Sequence, residues 1–263
     1  MLFPAWNRAE PGLWVWPLPW RTLDAGAPIP VRPDGCRCIA VASAPSMSTS
    51  ALLKTGTDAP ASSRLARLKA QSRKPGEASF FWYETQFQSE AVKVLPGEYF
   101  VDSEDLLIMT TLGSCIAACL WDRNARIGGL NHFMLPEGGE GSGRYGAYAM
   151  ELLINEMMKR GASRSSLEAK IFGGGQVIAG MGTMNIGERN TTFVLDYLNT
   201  ERIPVVSKDV LDIYPRKVCF LPASGKAMVK RLAPARAETL MTQEKAALRT
   251  TPAVTGGGSV DLF

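Results

Sequence analysis

Residues 110–136 read TTLGSCIAACLWDRNARIGGLNHFMLP, two apolar runs on either side of a short polar segment. Such runs, joined by residues that favour turns, are typical of a β-hairpin. A two-residue turn at Arg123 and Asn124 would place Cys115 directly opposite His132, the only histidine of the chain. Directly opposed side chains have Cβ atoms about 4.5–5.5 Å apart on one face of a sheet. The sequence therefore predicts a thiol and an imidazole within reach of each other, unless a one-residue slip separates their faces.

The surrounding sequence predicts an α/β domain of mostly antiparallel strands and hairpins with two main helices. Helical periodicity extends from Tyr145 to Arg160, and Gly161 is a natural stop. A second helix is predicted over 191–201, and a final hairpin over 216–232. The domain is therefore predicted to contain both strands and helices, with hairpins as the main kind of element.

The segment KIFGGG, residues 170–175, predicts a buried strand that runs into a glycine turn. Glycine triplets also occur in phosphate-binding loops, but no Lys-Ser or Lys-Thr pair follows here. Close backbone packing is the favoured reason for these glycines.

Tryptophan and proline are concentrated near the N-terminus, where neither strand nor helix periodicity is sustained. We predict an irregular, disordered extension over residues 1–78, within which 1–46 precede a plausible start at Met47. The compact domain is predicted over 79–232. Residues 233–263 are rich in Ala, Thr and Gly and are predicted to be a disordered tail, whose final VDLF is a candidate docking peptide.

Composition narrows the classes of function. No run approaches the roughly 18–20 apolar residues of a membrane span, and prolines interrupt the N-terminal segment, so a cytoplasmic protein without membrane insertion is expected. Five cysteines without an export signal favour thiols over disulfides. The net charge of +4 includes a basic cluster within residues 64–74, which is more typical of a solvated linker than of nucleic-acid binding. No cofactor motif is present.

A cysteine beside a histidine has a defined chemistry. The thiol of an isolated cysteine has a pKa near 8.5, and a nearby imidazole can take its proton or stabilise the thiolate. Attack by Cys115 on an amide carbonyl expels ammonia if His132 protonates the nitrogen. The same imidazole can then activate water to hydrolyse the thioester. This pair is sufficient for an amidohydrolase.

Two supporting roles remain to be filled. The backbone N–H groups around Gly113 and Ser114 are candidate donors to an oxyanion. A third group must orient the imidazole, and the hydroxyls of Thr110 and Thr111 are the nearest candidates in sequence.

Two structural alternatives stay open from the residues alone. The cysteine and histidine can simply pack in the core beneath a helix. A zinc site formed by Cys115, Cys119 and His132 lacks a fourth ligand, and two cysteines four positions apart on one strand are too distant to share a metal easily. No metal is therefore expected.

Four segments together resemble the chemoreceptor glutamine deamidases, the CheD family. They are LGSC (112–115), GGLNHFMLP (128–136), KIFGG (170–174) and NIGERN (185–190), in that order. The resemblance covers about residues 92–232. It implies a layered α/β sandwich similar to the deamidase domain of cytotoxic necrotizing toxins.

The resemblance also implies a function. Members of this family are protein-glutamine glutaminases that convert glutamine side chains of methyl-accepting chemotaxis proteins to glutamate, and also hydrolyse receptor glutamate methyl esters. It assigns Cys115 as nucleophile, His132 as general base and acid, and a threonine, Thr110 or Thr111, as third member. A CheC-type phosphatase is an implied partner. The alternative is a non-catalytic adaptor that binds chemoreceptors or such a phosphatase.

The chain departs from the family pattern at one place. Where the family usually has a glycine pair followed by Gly-Arg, this chain has Leu211-Asp212 and Pro215-Arg216. The local loop and its partner contacts are the features that this change puts in question.

Overall fold

A computed structural model describes residues 21–23, 63–136, 141–176 and 186–233, together with residues 242 and 246. Eleven strands and three α-helices are assigned in this part of the chain. They are β1 (Arg21–Leu23), α1 (Ser63–Ala70), β2 (Phe80–Glu84), β3 (Ser89–Lys93), β4 (Tyr99–Asp102), β5 (Leu107–Leu112), β6 (Ile116–Asp122), β7 (Ile127–Phe133), α2 (Gly146–Lys159), β8 (Leu167–Gly173), α3 (Ile186–Thr200), β9 (Val205–Val210), β10 (Arg216–Leu221) and β11 (Lys226–Arg231).

The strands form two sheets. The first sheet has the order β1-β11-β10-β5-β3-β2, and the second has the order β4-β7-β6-β8-β9. Only the pairs β3–β5 and β8–β9 are parallel among the described strands. The predicted α/β class with mostly antiparallel strands is confirmed.

Three layers pack on one another. One core lies between the two sheets and joins Ile108 and Val218 of the first sheet to Ala117 and Leu130 of the second. The opposite face of the second sheet packs on α2 and α3, for example through Ile116 against a core that includes Leu153 and Val194. Strand alternation sends neighbouring residues of β6 and β7 to these two different cores. Both faces of the second sheet are therefore buried.

The predicted hairpin of β6 and β7 exists, but its predicted turn is wrong. Asp122 pairs with Ile127, so four residues separate the strands, and Ala117 stands opposite His132. The Asp122 carboxylate accepts hydrogen bonds from the backbone N–H groups of Asn124 (2.8 Å) and Ala125 (3.1 Å), which stabilises this longer turn.

The error in the turn moves the register by two positions along the strand. Because side chains alternate with a period of two, such a shift preserves the face. Cys115, just before β6, is thus a diagonal neighbour of His132 on one face instead of its direct partner. The shifted register therefore still places Cys115 and His132 on the same face of the second sheet.

The other predicted elements agree with the structure to different degrees. Helix α2 is confirmed to within one residue at each end, and Gly161 has the positive φ of 101° expected of a helix stop. The hairpin of β10 and β11 is also confirmed. Helix α3 begins at Ile186, five positions before the predicted start.

The predicted irregular character of residues 1–78 is wrong at two places. Strand β1 pairs with β11, and α1 buries Leu65 and Leu68 in the core between the sheets. The packed part of the chain therefore includes elements before residue 79. The start at Met47 and most of the tail, including VDLF, lie outside the described residues, and the three-part division stays a prediction.

Candidate active site

Residues 113–115 carry the chain from one sheet to the other, and we call them the nucleophile turn because they contain Cys115, the predicted nucleophile. Strand β5 of the first sheet ends at Leu112, and β6 of the second sheet begins at Ile116. Cys115 ends this turn and is buried in the core between the sheets. The short LGSC motif thus brings a cysteine to the place where the two sheets meet.

His132 lies near the end of β7 and is also buried. Its backbone is held by the loop before β4, because Gly97 N donates to His132 O (2.7 Å) and His132 N donates to Glu98 O (3.0 Å). These bonds continue the ladder beyond β4 and fix the height of the imidazole along the sheet.

Thr110 is the threonine that contacts the histidine. Its Oγ1 lies 2.9 Å from His132 Nδ1 and 2.8 Å from the carbonyl oxygen of Val94. Thr111 pairs with Lys217 and points to the opposite face of β5, as strand alternation requires. Of the two candidates, the structure brings only Thr110 to His132.

The two contacts of Thr110 determine which imidazole nitrogen carries a proton. A carbonyl oxygen can only accept, so the Thr110 hydroxyl donates to Val94 O. The threonine oxygen must then accept a hydrogen bond from Nδ1–H of His132. In the neutral imidazole this leaves the basic lone pair on Nε2. Nε2 is thus the atom suited to take a proton from a thiol.

The three glycines after β8 pack against the nucleophile turn. A Cβ at Gly173, where φ is 109°, would overlap the carbonyl oxygen of Cys115, and one at Gly174 would overlap the Thr191 hydroxyl. At Gly175 a Cβ would approach Gly113 O to 3.1 Å. The prediction of close backbone packing is confirmed.

Every carbonyl group of the nucleophile turn accepts a hydrogen bond. Gly175 N donates to Gly113 O (2.9 Å), and Gly174 N donates to Cys115 O (2.8 Å). The amide Nδ2 of Asn190, from α3, donates to Ser114 O (3.1 Å). The candidate oxyanion residues Gly113 and Ser114 therefore belong to a turn that is held on one side by three donors.

No role was predicted for Asn190 from the sequence, although the NIGERN segment contains it. The helical periodicity of α3 is the signal that marks this residue. The buried positions of α3 are Gly187, Asn190, Thr191, Val194 and Leu198, which follow the helical period. A polar amide on the core face of an amphipathic helix needs a hydrogen-bonding partner and so marks a special position.

The departure from the family pattern coincides with unusual backbone geometry. Leu211 and Asp212 have φ angles of 62° and 67°, the left-handed region that favours glycine. Arg216, whose side chain is fully buried, donates to Leu211 O (2.6 Å) and Asp209 Oδ1 (2.8 Å). Gln176 N in turn donates to Asp212 O (2.7 Å). Arg216 thus holds the left-handed backbone at Leu211, and Gln176, which follows the glycine turn, holds it at Asp212.

Cys119 and Cys219 are the two other described cysteines, and both are buried thiols that form no disulfide. Burial raises the pKa of Cys119, although Lys170 opposes the shift, and burial raises the pKa of Cys219 to about 12. Both thiols therefore stay protonated near neutral pH. Among the described residues no group of three His, Cys, Asp or Glu side chains could hold a metal ion.

Taken together, fold and site define a two-sheet α/β protein in which His132, bonded to Thr110, shares one face of the second sheet with the buried Cys115. The family model described as "CheD chemotactic sensory transduction" matches residues 134–231. The chain belongs to the CheD family, because it is also 66% and 49% identical to two relatives over more than two thirds of its length.

Relatives with substantial identity support this assignment. The chain is 66% identical over 204 residues to the "Probable chemoreceptor glutamine deamidase CheD 1" of Albidiferax ferrireducens, covering 76% of this chain and 87% of the relative. It is 49% identical over 193 residues to the "Probable chemoreceptor glutamine deamidase CheD" of Thiobacillus denitrificans, and the match covers 71% of this chain and 96% of that relative.

The chain is also similar to one solved structure, that of the Bacillus licheniformis hypothetical protein YfiH. The TM-score is 0.32 and the identity is 10%, over 50% of this chain and 60% of that one.

No helix among the residues that the structure describes is long and apolar enough to cross a membrane.

Proposed function

We propose that this protein hydrolyses glutamine side chains of methyl-accepting chemotaxis proteins to glutamate, with Cys115 as nucleophile and His132 as general base and acid. The observation that carries the proposal is the hydrogen bond between Thr110 Oγ1 and His132 Nδ1. This bond leaves the lone pair of the neutral imidazole on Nε2, and a general base needs that lone pair to face its nucleophile.

The reaction is a two-step acyl transfer. His132 Nε2 takes the proton of Cys115, and the thiolate attacks the carboxamide carbon. The imidazolium then gives its proton to the amide nitrogen, the C–N bond breaks, and ammonia leaves a glutamyl thioester. Water attacks this thioester while His132 takes its proton, so that glutamate and the Cys115 thiol are released. One water is consumed and one ammonia is formed.

Thr110 has a positioning role in this proposal. Its oxygen accepts from Nδ1–H, and the bond stabilises both the neutral tautomer and the imidazolium that forms transiently. Because its own hydroxyl proton is committed to Val94 O, the threonine cannot reverse the bond.

The same chemistry extends to receptor glutamate methyl esters, whose carbonyl carbon is equivalent and whose leaving group is methanol. The cytoplasmic domain of such a receptor is in the cytoplasm, so the reaction takes place there.

A CheC-type phosphatase is the further partner that the resemblance implies. Co-purification of that phosphatase with the protein is the measurement that tests this expectation. A pure adaptor would need neither the thiol nor the imidazole.

Mass spectrometry of a purified receptor cytoplasmic domain tests the proposal. Incubation with the wild-type protein should add the mass increment of amide-to-carboxylate conversion at specific glutamines. Cys115→Ala should abolish this increment, and Cys115→Ser should too, because an alcohol ionises far less readily than a thiol.

Cys119→Ala is the matched control. Cys119 is buried in the same core, four residues away, and its thiol stays protonated. This variant should retain deamidation. Equal spectra for wild-type protein and Cys115→Ala would refute the proposed function and favour the adaptor.

A further inference from the structure

Asn190 connects the two segments that carry the nucleophile and the imidazole. Its Nδ2 donates to Ser114 O (3.1 Å), next to Cys115, and to Met134 O (2.9 Å), two residues after His132. The residue is fully buried on the face of α3 that packs on the second sheet. One amide group thus sets the distance between the nucleophile turn and the end of β7.

The orientation of this amide is chemically unambiguous. Both contacted atoms are carbonyl oxygens, which only accept, so the nitrogen and not Oδ1 must face them. Oδ1 is buried and has no hydrogen-bond partner among the described residues. A buried acceptor without a partner is unfavourable, and an apolar side chain at this position would avoid it. The donor function therefore gives a reason for the asparagine.

The bond to Ser114 O determines where the next N–H group points. A trans peptide unit is planar, so its C=O and N–H point in opposite directions. Asn190 holds the carbonyl of the unit between Ser114 and Cys115, and the N–H of Cys115 consequently points away from α3. The bond from Gly175 N to Gly113 O fixes the N–H of Ser114 in the same manner.

We propose that Asn190 is a positioning residue that aims the Cys115 N–H at the oxyanion formed when the thiolate attacks the substrate carbonyl. This inference rests on the proposed function. It differs from the role of Thr110, because Asn190 acts on the oxyanion donor and not on the proton transfer. A hydrogen bond to the carbonyl also polarises the peptide unit and strengthens its N–H as a donor.

Two reactions of the same cysteine separate these roles. Deamidation forms an oxyanion and needs the aimed N–H group. Alkylation of Cys115 by iodoacetamide proceeds at a saturated carbon, forms no oxyanion, and reports only the nucleophilicity and access of the thiol. Asn190→Ala should lower kcat for the receptor domain about 100-fold, as loss of an oxyanion donor does elsewhere. KM and the rate of Cys115 alkylation across pH should stay near the wild-type values, because neither depends on an oxyanion donor.

Asn131→Ala is the matched control. Asn131 is an equally buried asparagine on β7 that donates to Ala149 O (2.9 Å) and accepts from Ala118 N (3.1 Å), on the face opposite to His132. This variant should lose thermal stability but keep the wild-type kcat. Asn190→Leu, which fills a similar volume without donors, replaces Asn190→Ala if the smaller side chain prevents folding.

Three outcomes would overturn the inference. They are a wild-type kcat for Asn190→Ala or Asn190→Leu, a parallel loss of alkylation and deamidation in those variants, and an equal loss of kcat in Asn131→Ala. In each case the wild-type protein still deamidates, so the proposed function stands. Absence of turnover by the wild-type protein would overturn the proposed function and this inference together.

Discussion

The Oγ1 atom of Thr110 lies 2.9 Å from Nδ1 of His132, and this hydrogen bond joins the two sheets across the core between them. Thr110 and Cys115 are only five positions apart, yet Thr110 lies in β5 of the first sheet and Cys115 directly precedes β6 of the second. The nucleophile turn leads from the strand of one to the strand of the other. The stacking of the two sheets therefore brings Thr110 to His132, with the proposed nucleophile Cys115 in the same core.

Thr110→Val should reduce kcat for receptor deamidation by roughly 10- to 100-fold, by analogy with the loss of a hydrogen-bond partner from a metal-binding histidine. Valine keeps the shape but cannot accept from Nδ1–H. Thr110→Ser should restore most of the activity because it keeps the hydroxyl. The measurement is a steady-state assay of ammonia release.

Thr111→Val serves as the control for this pair of threonines. It introduces the same chemical change on the opposite face of β5, so kcat should stay near the wild-type value. Loss of activity in Thr111→Val with retention in Thr110→Val would show that the assignment of the third residue is reversed.

Gly173→Ala should displace the nucleophile turn. A Cβ at this position overlaps the carbonyl oxygen of Cys115, so the turn or β8 must move. Gly161→Ala is a fair comparison, because its φ of 101° is close to the 109° of Gly173 while nothing lies within 4 Å of its added Cβ. Both variants should lose about 1 kcal/mol of unfolding free energy from the left-handed backbone.

Only Gly173→Ala should lose further stability and deamidase activity. Denaturant titration and the receptor assay together measure this difference. Equal stability and equal activity of the two alanine variants would contradict the close packing of Gly173 on Cys115.

Leu211→Gly should stabilise the protein by about 0.5–1 kcal/mol, because a left-handed non-glycine residue costs more than the extra unfolded-state entropy of glycine. Leu95→Gly is the control. The two leucines are 39% and 41% exposed, but only Leu211 has a positive φ. Leu95→Gly should therefore destabilise, and a shift of the two melting temperatures in the same direction would argue against strain at Leu211.

Asp209→Asn should lower the unfolding free energy at neutral pH by about 3–5 kcal/mol, since it leaves the buried Arg216 without its counter-charge. Asp212→Asn, which removes an exposed partner of Arg231, should cost less than about 1 kcal/mol. The comparison uses two carboxylates that share Arg231 but differ in burial.

The contribution of Asp209 to the unfolding free energy should depend on pH. Burial alone would raise the pKa of this carboxyl, but hydrogen bonds from Arg231 and Arg216 hold the pKa below its ordinary value. A depressed folded pKa contributes stability that is complete above the unfolded pKa of about 3.9 and is lost as pH falls through the folded value. Wild-type protein and Asp209→Asn should therefore converge in stability in acid, as followed by denaturant titration at a series of pH values. A constant difference down to strongly acidic pH would exclude the ion pair as its source.

The sequence was sufficient for the class of fold and for selecting Cys115 and His132 as candidate residues, because both depend on local patterns. Apolar runs, turn residues and helical periodicity act over a few neighbouring positions. The face shared by Cys115 and His132 was also predictable, since any even shift of the register preserves it. The turn itself was not, because the Asp122 carboxylate stabilises two extra residues that no periodicity indicates.

Only the tertiary structure distinguished Thr110 from Thr111, and only it gave Asn190 a contact with the nucleophile turn. Both contacts join residues whose separation in sequence carries no geometric information, 22 positions for Thr110 and His132 and 76 for Asn190 and Ser114. They arise from the stacking of one sheet on the other and of α3 on the second sheet. Local preferences of the chain determined the elements and the candidate pair, whereas the packing of layers decided that Thr110 contacts His132 and that Asn190 contacts Ser114.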